Sequence, residues 1–580
     1  MSLPQQGVSP GRLDAAYCQE LERLISNRAI EKIWSRQTDL WKSDPEHARI
    51  ITNRLGWIAV LDAMRGEVPR MAGFAREVRE AGFRDIVLLG MGGSSLAPEV
   101  FSLTFSGPAD GSRFFVLDST DPASVLATDR AIDLRRTLFI VASKSGKTIE
   151  TLSQFFYFLH RVNVAGVRPP GHNFIAITDA GSFLAQLAVE YSFQRTFLNP
   201  ADIGGRYSAL SYFGLVPAAL WGIDIGAVLE TAAEMRAACG PAASAESNPA
   251  LALGALMGAG AQQGAKKIVL LATPRLVPLG NWIEQLVAES TGKEGKGIVP
   301  VAGGLVPPLE VLAEGCIVVT FRLDGEDPAV LDTLRGQLKT RGVPLVEIRL
   351  GQAVELGAEF FKWEVATAVA GAALGIDAFD EPNVQESKDN TARILEQFQS
   401  SGQMPAGAPR LVEVGIELYA EGAVRHSIST LRLSEALRTF LAQRQSGDYL
   451  ALLAYVDRNA ANSAQLDALR AKLGERLGLP VLLGYGPRYL HSIGQLYKGG
   501  PPEGIFLVIT SAPAEDQAIP GAKYTFGQLQ LAQALGDLES LVRRDKLALR
   551  LHLAQGAQAG LAELLKIVDQ ALAASRLASR

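Results

Sequence analysis

Short apolar runs recur along most of the chain, each bounded by turn residues and followed by a stretch of helical pattern. Runs of this kind are typical of strands that are buried on both faces of a parallel sheet. The pattern predicts an α/β fold class, with doubly wound parallel sheets in three-layer αβα domains. The predicted strands fall into three sets: Ile86–Gly90, Phe114–Asp118, Leu138–Ala142 and Phe174–Thr178; Lys267–Ala272, Ile317–Phe321 and Leu345–Arg349; and Tyr449–Ala454, Pro480–Gly484 and Ile505–Thr510.

These three sets and the regions between them predict the domain organisation. At 580 residues the chain exceeds what one hydrophobic core usually organises. Residues before about 50 carry Leu21, Leu24 and Ile25 on one helical face, which predicts an N-terminal helical extension. The Gly/Pro-containing stretch Ser400–Pro409 separates the second and third sets. We expect the extension over residues 1–50, a first α/β domain over 51–230, a second over 231–400 and an additional C-terminal α/β unit over 401–580.

Two segments, Phe361–Gly371 and Phe526–Gly536, share a spacing and an apolar helical pattern. Two interpretations are open. Either the C-terminal unit partly copies the second domain, or the likeness is that of any two alanine-rich helices.

The charge balance excludes nucleic acids and membranes as partners. The formal net charge is -5 and the sequence pI is about 5.9, so no basic field attracts a nucleic acid or an anionic lipid surface.

The three cysteines, Cys18, Cys239 and Cys316, lie far apart, which favours neither a disulfide framework nor a zinc site and fits a cytoplasmic location. The six histidines form no metal motif, the first residues lack the pattern of a signal peptide, and no apolar stretch is long enough to span a bilayer.

Two clusters of small and hydroxyl-bearing residues follow predicted strands. The glycines of Gly90–Ser95 allow close backbone approach to an anion at the start of the next helix. Many α/β proteins turn on glycine without a ligand, and the full dinucleotide spacing is absent. Ser143–Thr151 groups hydroxyl and ammonium side chains that fit a phosphate dianion without a metal, although a polar helix start has the same composition. Val141 stands where a P-loop needs glycine, so ATP is not expected.

Two further clusters carry charged groups. Arg206 follows two glycines in Gly204–Ser208, and a guanidinium of such reach stabilises an anionic intermediate such as an enediolate, whereas an isolated arginine commonly forms a surface ion pair. In Asn281–Gly297, Gln285 and Glu289 are four residues apart and point the same way at a helix end. A carboxylate so placed serves as a general base, although a solvated surface is the commoner fate of a lone glutamate.

Taken together and in this order, the four clusters resemble the glucose-6-phosphate isomerase family. Its signatures are Gly-Gly-Ser, Ser-Lys-x-x-x-Thr-x-Glu-Thr, Gly-Gly-Arg-Tyr-Ser and Glu-Ser-x-Gly-Lys. The resemblance covers roughly residues 85 to 390, and Phe379–Lys388 is similar to the family's late lysine-bearing motif. The run Tyr485–Gly500 resembles the isomerase half of fused transaldolase/glucose-6-phosphate isomerase chains, and nothing in the chain resembles the transaldolase half.

The resemblance implies sugar-isomerase domains and interconversion of glucose 6-phosphate and fructose 6-phosphate, as in glycolysis and gluconeogenesis. It implies that Glu289 moves a proton between C2 and C1 through a cis-enediol, that Arg206 faces the reacting carbons, and that no cofactor or metal takes part. Two alternatives stay open: an isomerase that also accepts mannose 6-phosphate, with Thr291 near the base, and a non-catalytic phosphosugar-binding regulator. The implied substrate-binding residues are Gly93, Ser94, Ser143, Lys144, Ser145, Thr148 and Gln285, and Lys388 and His491 complete the implied catalytic set by assisting ring opening.

This sequence departs from the family in two places. Lys147 stands where the family usually has a small or hydroxyl residue, and we assign it no role. Ile298–Glu310 lacks the family's ring-opening histidine, and a Leu-His-Ser-x-Gly-Gln pattern appears instead at Leu490–Gln495. In the dimeric members of the family this histidine comes from the partner subunit. We therefore expect a site completed within one chain and a monomer-competent enzyme, with a dimer and association with a separate transaldolase as open alternatives.

Overall fold

The computed structural model describes residues 3–573 of the chain. These residues form two compact units. Unit 1 contains the described residues up to Asp118 together with Ala131–Gly304 and Leu312–Glu381. Unit 2 contains Ser119–Arg130, Leu305–Val311 and the described residues from Pro382 onward.

The strands of unit 1 are β1 (Gln5–Ser9), β2 (Asp85–Gly90), β3 (Arg113–Leu117), β4 (Thr137–Ala142), β5 (Phe174–Asp179), β6 (Arg195–Asn199), β7 (Lys267–Ala272), β8 (Val299–Val301), β9 (Cys316–Leu323) and β10 (Leu345–Leu350). The strands of unit 2 are β11 (Leu411–Glu413), β12 (Ile416–Ala420), β13 (Leu450–Tyr455), β14 (Val481–Tyr485), β15 (Ile505–Ser511) and β16 (Leu547–Leu553).

The α-helices, in chain order, are α1 (Asp14–Ser26), α2 (Ala29–Trp34), α3 (Pro45–Thr52), α4 (Val60–Glu80), α5 (Leu96–Thr104), α6 (Pro122–Ala131), α7 (Ile149–Val164), α8 (Phe183–Glu190), α9 (Tyr212–Leu220), α10 (Ile225–Cys239), α11 (Pro249–Gln262), α12 (Val277–Thr291), α13 (Leu309–Ala313), α14 (Ala329–Thr340), α15 (Leu356–Leu374), α16 (Val384–Ser401), α17 (Gly422–Ser427), α18 (Leu433–Leu441), α19 (Ala460–Leu477), α20 (Gly494–Gly499), α21 (Phe526–Val542) and α22 (Ala557–Ala573). Within the described range, no helix has the length and apolar character needed to cross a membrane.

The three sheets repeat one strand order. Unit 1 contains the parallel sheet β3-β2-β4-β5-β6 and the sheet β8-β7-β9-β10-β1, in which β1 alone is antiparallel. Unit 2 contains β14-β13-β15-β16-β12-β11, in which β12 and β11 are antiparallel. In each sheet the first parallel strand lies between the second and the third, so the strand order reverses beside it. The predicted doubly wound α/β fold class is confirmed.

The predicted strands all occur, with ends that differ by at most two residues from those expected. Strands such as β2 and β4 were predictable because they are buried on both faces, with every residue buried. The N-terminal region is helical in α1 to α3, as expected, but it also contributes β1, which pairs antiparallel with β10. The polar sequence Gln-Gln-Gly-Val-Ser of β1 carries no apolar signal. Unit 1 holds the first two sheets together, and the domain limits at residues 50, 230 and 400 stay predictions.

The two helical segments that share a pattern occupy different places in their sheets. Phe361–Gly371 lies in α15, which follows the last strand of its sheet, whereas Phe526–Gly536 lies in α21, between β15 and β16. The sheets correspond strand by strand, but these two helices do not. The comparison therefore favours a general likeness of alanine-rich helices.

Helix α15 is buried along almost its whole length and carries three charged residues. Glu359 and Lys362 form an ion pair of 2.6 Å, and both side chains are fully buried. Glu364 is also fully buried, but neither of its carboxyl oxygens has a hydrogen-bond partner. Burial raises the pKa of Glu364 well above its usual value, so the group is protonated in the folded protein at neutral pH.

Replacing Glu364 with Gln is expected to stabilise the fold by an amount that grows with pH. Glu364 is protonated when folded and ionises on unfolding, so the folded state loses stability as pH rises above the ordinary range of a carboxyl group, by up to about 1.4 kcal/mol per pH unit. Glu364→Gln removes that dependence. Denaturant unfolding of both proteins between about pH 5 and about pH 8 measures the difference.

Glu359→Gln is the matched control on the same helix. It leaves the buried Lys362 ammonium without its carboxylate and is expected to cost roughly 3–5 kcal/mol of unfolding free energy. The same sign of effect at both positions would contradict the assignment of Glu364 as a protonated, unpartnered acid.

Candidate functional site

The predicted phosphate-binding loops lie side by side at one edge of the first sheet. Gly90–Ser95 follows β2 and Ser143–Thr148 follows β4, and these strands are neighbours in the sheet. The strand order reverses at this point, so the crevice outside their carboxyl ends is where doubly wound sheets bind ligands.

The loop after β4 is held in one conformation by its own hydroxyl groups. The Ser143 hydroxyl lies 2.9 Å from the Thr148 hydroxyl and accepts a hydrogen bond from the Gly146 amide at 3.1 Å. Gly146 has φ of +70°, and a Cβ there would lie 2.3 Å from the backbone nitrogen of Leu184. Thr148 occupies the N-cap position of α7, yet its side chain makes no capping hydrogen bond. The loop is therefore more than a polar helix start, since its candidate cap is bonded to Ser143.

The lysines of this loop differ in their surroundings. The Lys144 ammonium donates to Asp179 at 2.6 Å and to the carbonyl of Ala201 at 2.8 Å, so its charge is paired with a carboxylate. Ser145 and Lys147 are exposed. The phosphate contacts of Ser145 and Lys144 stay predictions. Lys147 donates its backbone amide to the Ser145 hydroxyl at 3.3 Å, and its side chain is assigned no role.

A close backbone contact joins the first cluster to the third. A Cβ on Gly93 would lie 2.1 Å from the carbonyl oxygen of Gly205, and the Ser208 hydroxyl donates to the Gly93 carbonyl at 3.3 Å. Only glycine fits at this approach. Ser94, the next residue, is buried at the same edge. The glycine-rich sequence thus sets Arg206 beside the loop that follows β2.

Glu289 lies near the C-terminal end of α12, where it is almost fully buried. The Gln285 amide donates to its carboxylate at 3.5 Å, which confirms that these two residues share one face of the helix. Burial raises the pKa of Glu289 to about 8; the Glu381 carboxylate adds to this, while Arg206 and Gln285 act in the opposite direction. A carboxyl group with this pKa exchanges protons near neutral pH, as a general base requires.

Arg206 is the best-connected side chain of the site. Its Nη1 lies 3.6 Å from Glu289 Oε2 and donates to Glu381 Oε2 at 2.9 Å, and its Nε donates to the Ser290 hydroxyl at 2.8 Å. Burial lowers the pKa of Arg206, but the carboxylates of Glu381 and Glu289 outweigh it and the net shift is upward. A buried, fully charged guanidinium next to the candidate base Glu289 fits the role predicted for Arg206, the stabilisation of an oxyanion.

The segment 377–381 is fastened to this site from two sides. The Arg206 Nη2 donates to the carbonyls of Ala378 and Asp380, at 2.9 and 3.0 Å. The buried Lys293 ammonium lies 2.5 Å from the Asp380 carboxylate and donates to its carbonyl at 2.7 Å. Burial and the nearby Arg206 charge lower the pKa of Lys293. Together these contacts fix Glu381 against Arg206.

His47, from α3, supports the same segment. Its Nδ1 lies 3.0 Å from Asp377 Oδ2 and 3.7 Å from Asp380 Oδ2, and the hydrogen bond with Asp377 raises the pKa of His47. These three residues group as potential metal ligands, but Lys293 already pairs with one of the carboxylates. The arrangement fits a hydrogen-bonded support for the segment rather than a cation site.

Sequence reasoning missed several residues of this site. Glu381 and Asp380 lie inside Phe379–Lys388, whose interpretation centred on its lysine. Two adjacent acids immediately before a proline were the available signal. Lys293 is the lysine of the Glu-Ser-x-Gly-Lys signature, but it was assigned no role of its own, and His47 carried no signal that distinguished it from a surface residue.

Two predicted catalytic residues belong to unit 2. Lys388 is exposed on α16, and His491 is partly buried in the 3-10 turn Arg488–His491. Glu289, Arg206 and Gln285 belong to unit 1. The roles of Lys388 and His491 stay predictions.

Comparison with known proteins shows the family of the chain. The family model for phosphoglucose isomerase matches residues 58–299, a region that contains all four clusters and ends before Lys388 and His491. The probable glucose-6-phosphate isomerase of Natronomonas pharaonis is 30% identical over 405 residues, which are 63% of this chain and 90% of that protein. The chain belongs to the phosphoglucose isomerase family.

Other relatives agree with this membership. The glucose-6-phosphate isomerase of Methanocaldococcus jannaschii is 28% identical to this chain over 349 residues, which are 54% of this chain and 85% of the relative. Among solved structures, a hypothetical protein of Thermus thermophilus has a TM-score of 0.58 at 23% identity and covers 67% of this chain and 99% of its own. A glucose-6-phosphate isomerase from Chlamydia trachomatis has a TM-score of 0.50, also at 23% identity, and covers 64% of this chain and 78% of its own. At this identity the two structures support the fold alone.

The contact between the first and third clusters of this isomerase-family chain predicts a sharp difference between two glycines. Gly93→Ala places a methyl group against the Gly205 carbonyl and is expected to cost roughly 1–3 kcal/mol of unfolding free energy, because the backbones must separate. Gly205→Ala meets no atom within 4 Å and is expected to change the unfolding free energy far less. Denaturant unfolding of the two variants measures this, and equal losses would contradict the close approach.

Proposed function

We propose that the protein is an aldose–ketose isomerase that interconverts glucose 6-phosphate and fructose 6-phosphate. One observation carries the proposal: the buried Glu289, with its pKa of about 8, lies beside the Arg206 guanidinium in a chain of this family. The fold adds a second support, because the loop that carries the Ser143 and Thr148 hydroxyl groups lies at the reversal of strand order, where doubly wound sheets bind ligands.

The mechanism needs one carboxylate and one stabilised oxyanion. In its ionised form Glu289 takes a proton from C2 of the open-chain sugar and returns it to C1, with a cis-enediol between the two transfers. Negative charge that develops on the sugar oxygens is stabilised by Arg206, which the Ser290 hydroxyl and the 378–381 segment hold in place. The Glu381 carboxylate acts on both residues: it accepts a hydrogen bond from Arg206 and raises the pKa of Glu289.

A wider substrate range draws no support from Thr291. Its hydroxyl donates to the carbonyl of Val287 at 2.7 Å and accepts from the amide of Ile298 at 3.0 Å, so it is engaged at the end of α12. Activity on mannose 6-phosphate therefore has no observation in its favour. A purely regulatory role would require phosphate binding but no buried base beside an arginine.

The site is expected to complete itself within one chain. His491 and Lys388 would then assist ring opening in the same molecule whose Glu289 moves the proton, as the late Leu-His-Ser-x-Gly-Gln pattern indicates. Light scattering of the active species tests this, since activity confined to a dimer would overturn it. Association with a separate transaldolase stays an open alternative.

The location proposed for the protein is the cytoplasm. The cysteines Cys18, Cys239 and Cys316 are free, which fits a reducing compartment.

Glu289→Gln is expected to lower the turnover of fructose 6-phosphate roughly 10²–10⁴-fold, the usual contribution of a positioned general base. A coupled assay of glucose 6-phosphate formation measures it. Glu284→Gln is the matched control, because it makes the same change on α12 outside the Gln285–Glu289 face and is expected to keep full activity. Sugar-phosphate binding without turnover in the unaltered protein would instead establish the regulator.

The pH dependence of kcat/KM follows from the pKa of Glu289. The base works in its ionised form, so kcat/KM is expected to fall about tenfold per pH unit below a pH of about 8. Glu381→Gln removes a carboxylate that raises this pKa and leaves Arg206 to lower it, so the acid limb is expected to move to lower pH. Glu284→Gln is expected to leave the limb in place. A limb that stays fixed in Glu381→Gln would show that another group controls it.

A further inference from the structure

The third sheet has a cavity at the place where the first sheet carries its phosphate loops. The cavity has a volume of about 200 Å³ and lies at the carboxyl ends of β13, β15 and β16, against the first turns of α21. The neighbours β13 and β15 correspond to β2 and β4, so the cavity lies where the strand order reverses. All of its lining belongs to unit 2. Doubly wound sheets bind ligands at this position.

This cavity is not built for an anion. Among the described residues, no lysine or arginine lines it. The start of α21 is already occupied by a carboxylate: Gly527 donates its amide to Asp516 Oδ1 at 2.8 Å, and the Thr525 hydroxyl donates to Asp516 Oδ2 at 2.5 Å. The Thr525 and Gln528 capping box satisfies further groups there. A phosphate would meet the Asp516 charge instead of free amides.

Uncharged hydrogen-bonding groups line the cavity instead. The Thr510 hydroxyl lies 3.0 Å from Nδ1 of His552, and the Gln530 amide donates to Asp121 at 3.0 Å. Burial and the charge of Arg550 lower the pKa of His552, so its imidazole is neutral at pH 7. The Arg550 guanidinium itself stacks on Tyr419, 3.6 Å from the ring centroid.

These polar groups are fixed before any ligand arrives. Thr510 and Gln530 are 3% and 6% exposed, and the Tyr455 hydroxyl is held 2.9 Å from that of Tyr489. Leu531 and Pro513 add apolar surface to the same wall. Fixed hydroxyl, amide and imidazole groups beside an apolar patch match a ring that carries hydroxyl groups at its edge and C–H groups on its face.

We propose that this cavity is a second ligand site, which takes an uncharged, hydroxyl-rich molecule of monosaccharide size. Its volume is below the roughly 300–1,000 Å³ of most small-molecule pockets, which limits the ligand to one sugar ring. The site is separate from Glu289 and the phosphate loops, and it is defined by Thr510, Gln530 and His552. It goes beyond isomerisation, because it needs neither a phosphate group nor the catalytic base.

Saturation-transfer NMR of the full chain with unphosphorylated glucose as the probe tests the proposal. The equilibrated mixture of glucose 6-phosphate and fructose 6-phosphate is added to saturation, so that the isomerase site is filled. Glucose signals are expected to persist, and inorganic phosphate is expected not to reduce them. Thr510→Val is expected to weaken glucose binding about tenfold, because one hydroxyl that contacts the ligand is lost. Thr510→Ser is expected to restore binding.

Thr320→Val is the matched control. Thr320 lies on β9, the strand that corresponds to β15, and its hydroxyl donates to a carbonyl of the neighbouring strand at 3.4 Å, as that of Thr510 does. Its replacement is expected to leave both glucose binding and isomerase activity unchanged. The proposal fails if glucose gives no signal, if the sugar phosphates or phosphate displace it, or if Thr510→Val and Thr320→Val bind glucose equally. Isomerase activity is assayed separately, so these outcomes do not depend on the proposed function.

Discussion

The buried guanidinium of Arg206 ties three separate parts of unit 1 to one point. It projects from the glycine turn after β6, donates to Ser290 at the end of α12, and holds the carbonyls and the carboxylate of the 378–381 segment. A charge that is almost completely removed from water is tolerated only when its donors are paired. Because Arg206 is satisfied only when all three parts are in place, its pairing couples the geometry of the candidate site to the folding of both sheets of this unit.

The same pairing affects the pKa of Glu289, the candidate base. Glu289 is buried enough to resist ionisation, and Arg206 at 3.6 Å favours it, so its pKa lies between the values that each effect would produce alone. Glu381 also forms an ion pair with Arg206, and this weakens the effect by which Arg206 lowers the pKa of Glu289. The pKa of about 8 of this candidate base is thus the result of its burial on α12 and of two neighbouring charges, Arg206 on the glycine turn and Glu381 in the 378–381 segment.

Much of the fold and the centre of the site could be predicted from the sequence, for physical reasons. Strands such as β4 are apolar throughout because both faces are covered, and the four-residue spacing of Gln285 and Glu289 fixes their common face. Other features depend on tertiary contacts that no local pattern encodes. The polar strand β1 exists because β10 offers it an open edge, and His47 becomes a support only because Asp377 lies beside it. The fully buried Glu364 could not be anticipated, since an apolar helix that contains a few charged residues looks like a helix with a solvated face.

The discontinuity of unit 2 bears on how the protein is synthesised and how it can be divided. The segment Ser119–Arg130 is made early, yet its partners lie hundreds of residues later: the Ser124 hydroxyl bonds to Asp457, 333 residues later, and Thr120 bonds to Gln533. On the ribosome this segment emerges long before Asp457 and Gln533, so it cannot form these hydrogen bonds until residue 533 has been translated. A fragment that begins at Pro382 would lack these buried partners. The unit is therefore not a transferable module, because gene fusions or dissections that treat residue 382 as its start would remove the hydrogen-bond partners of Asp457, Gln530 and Gln533.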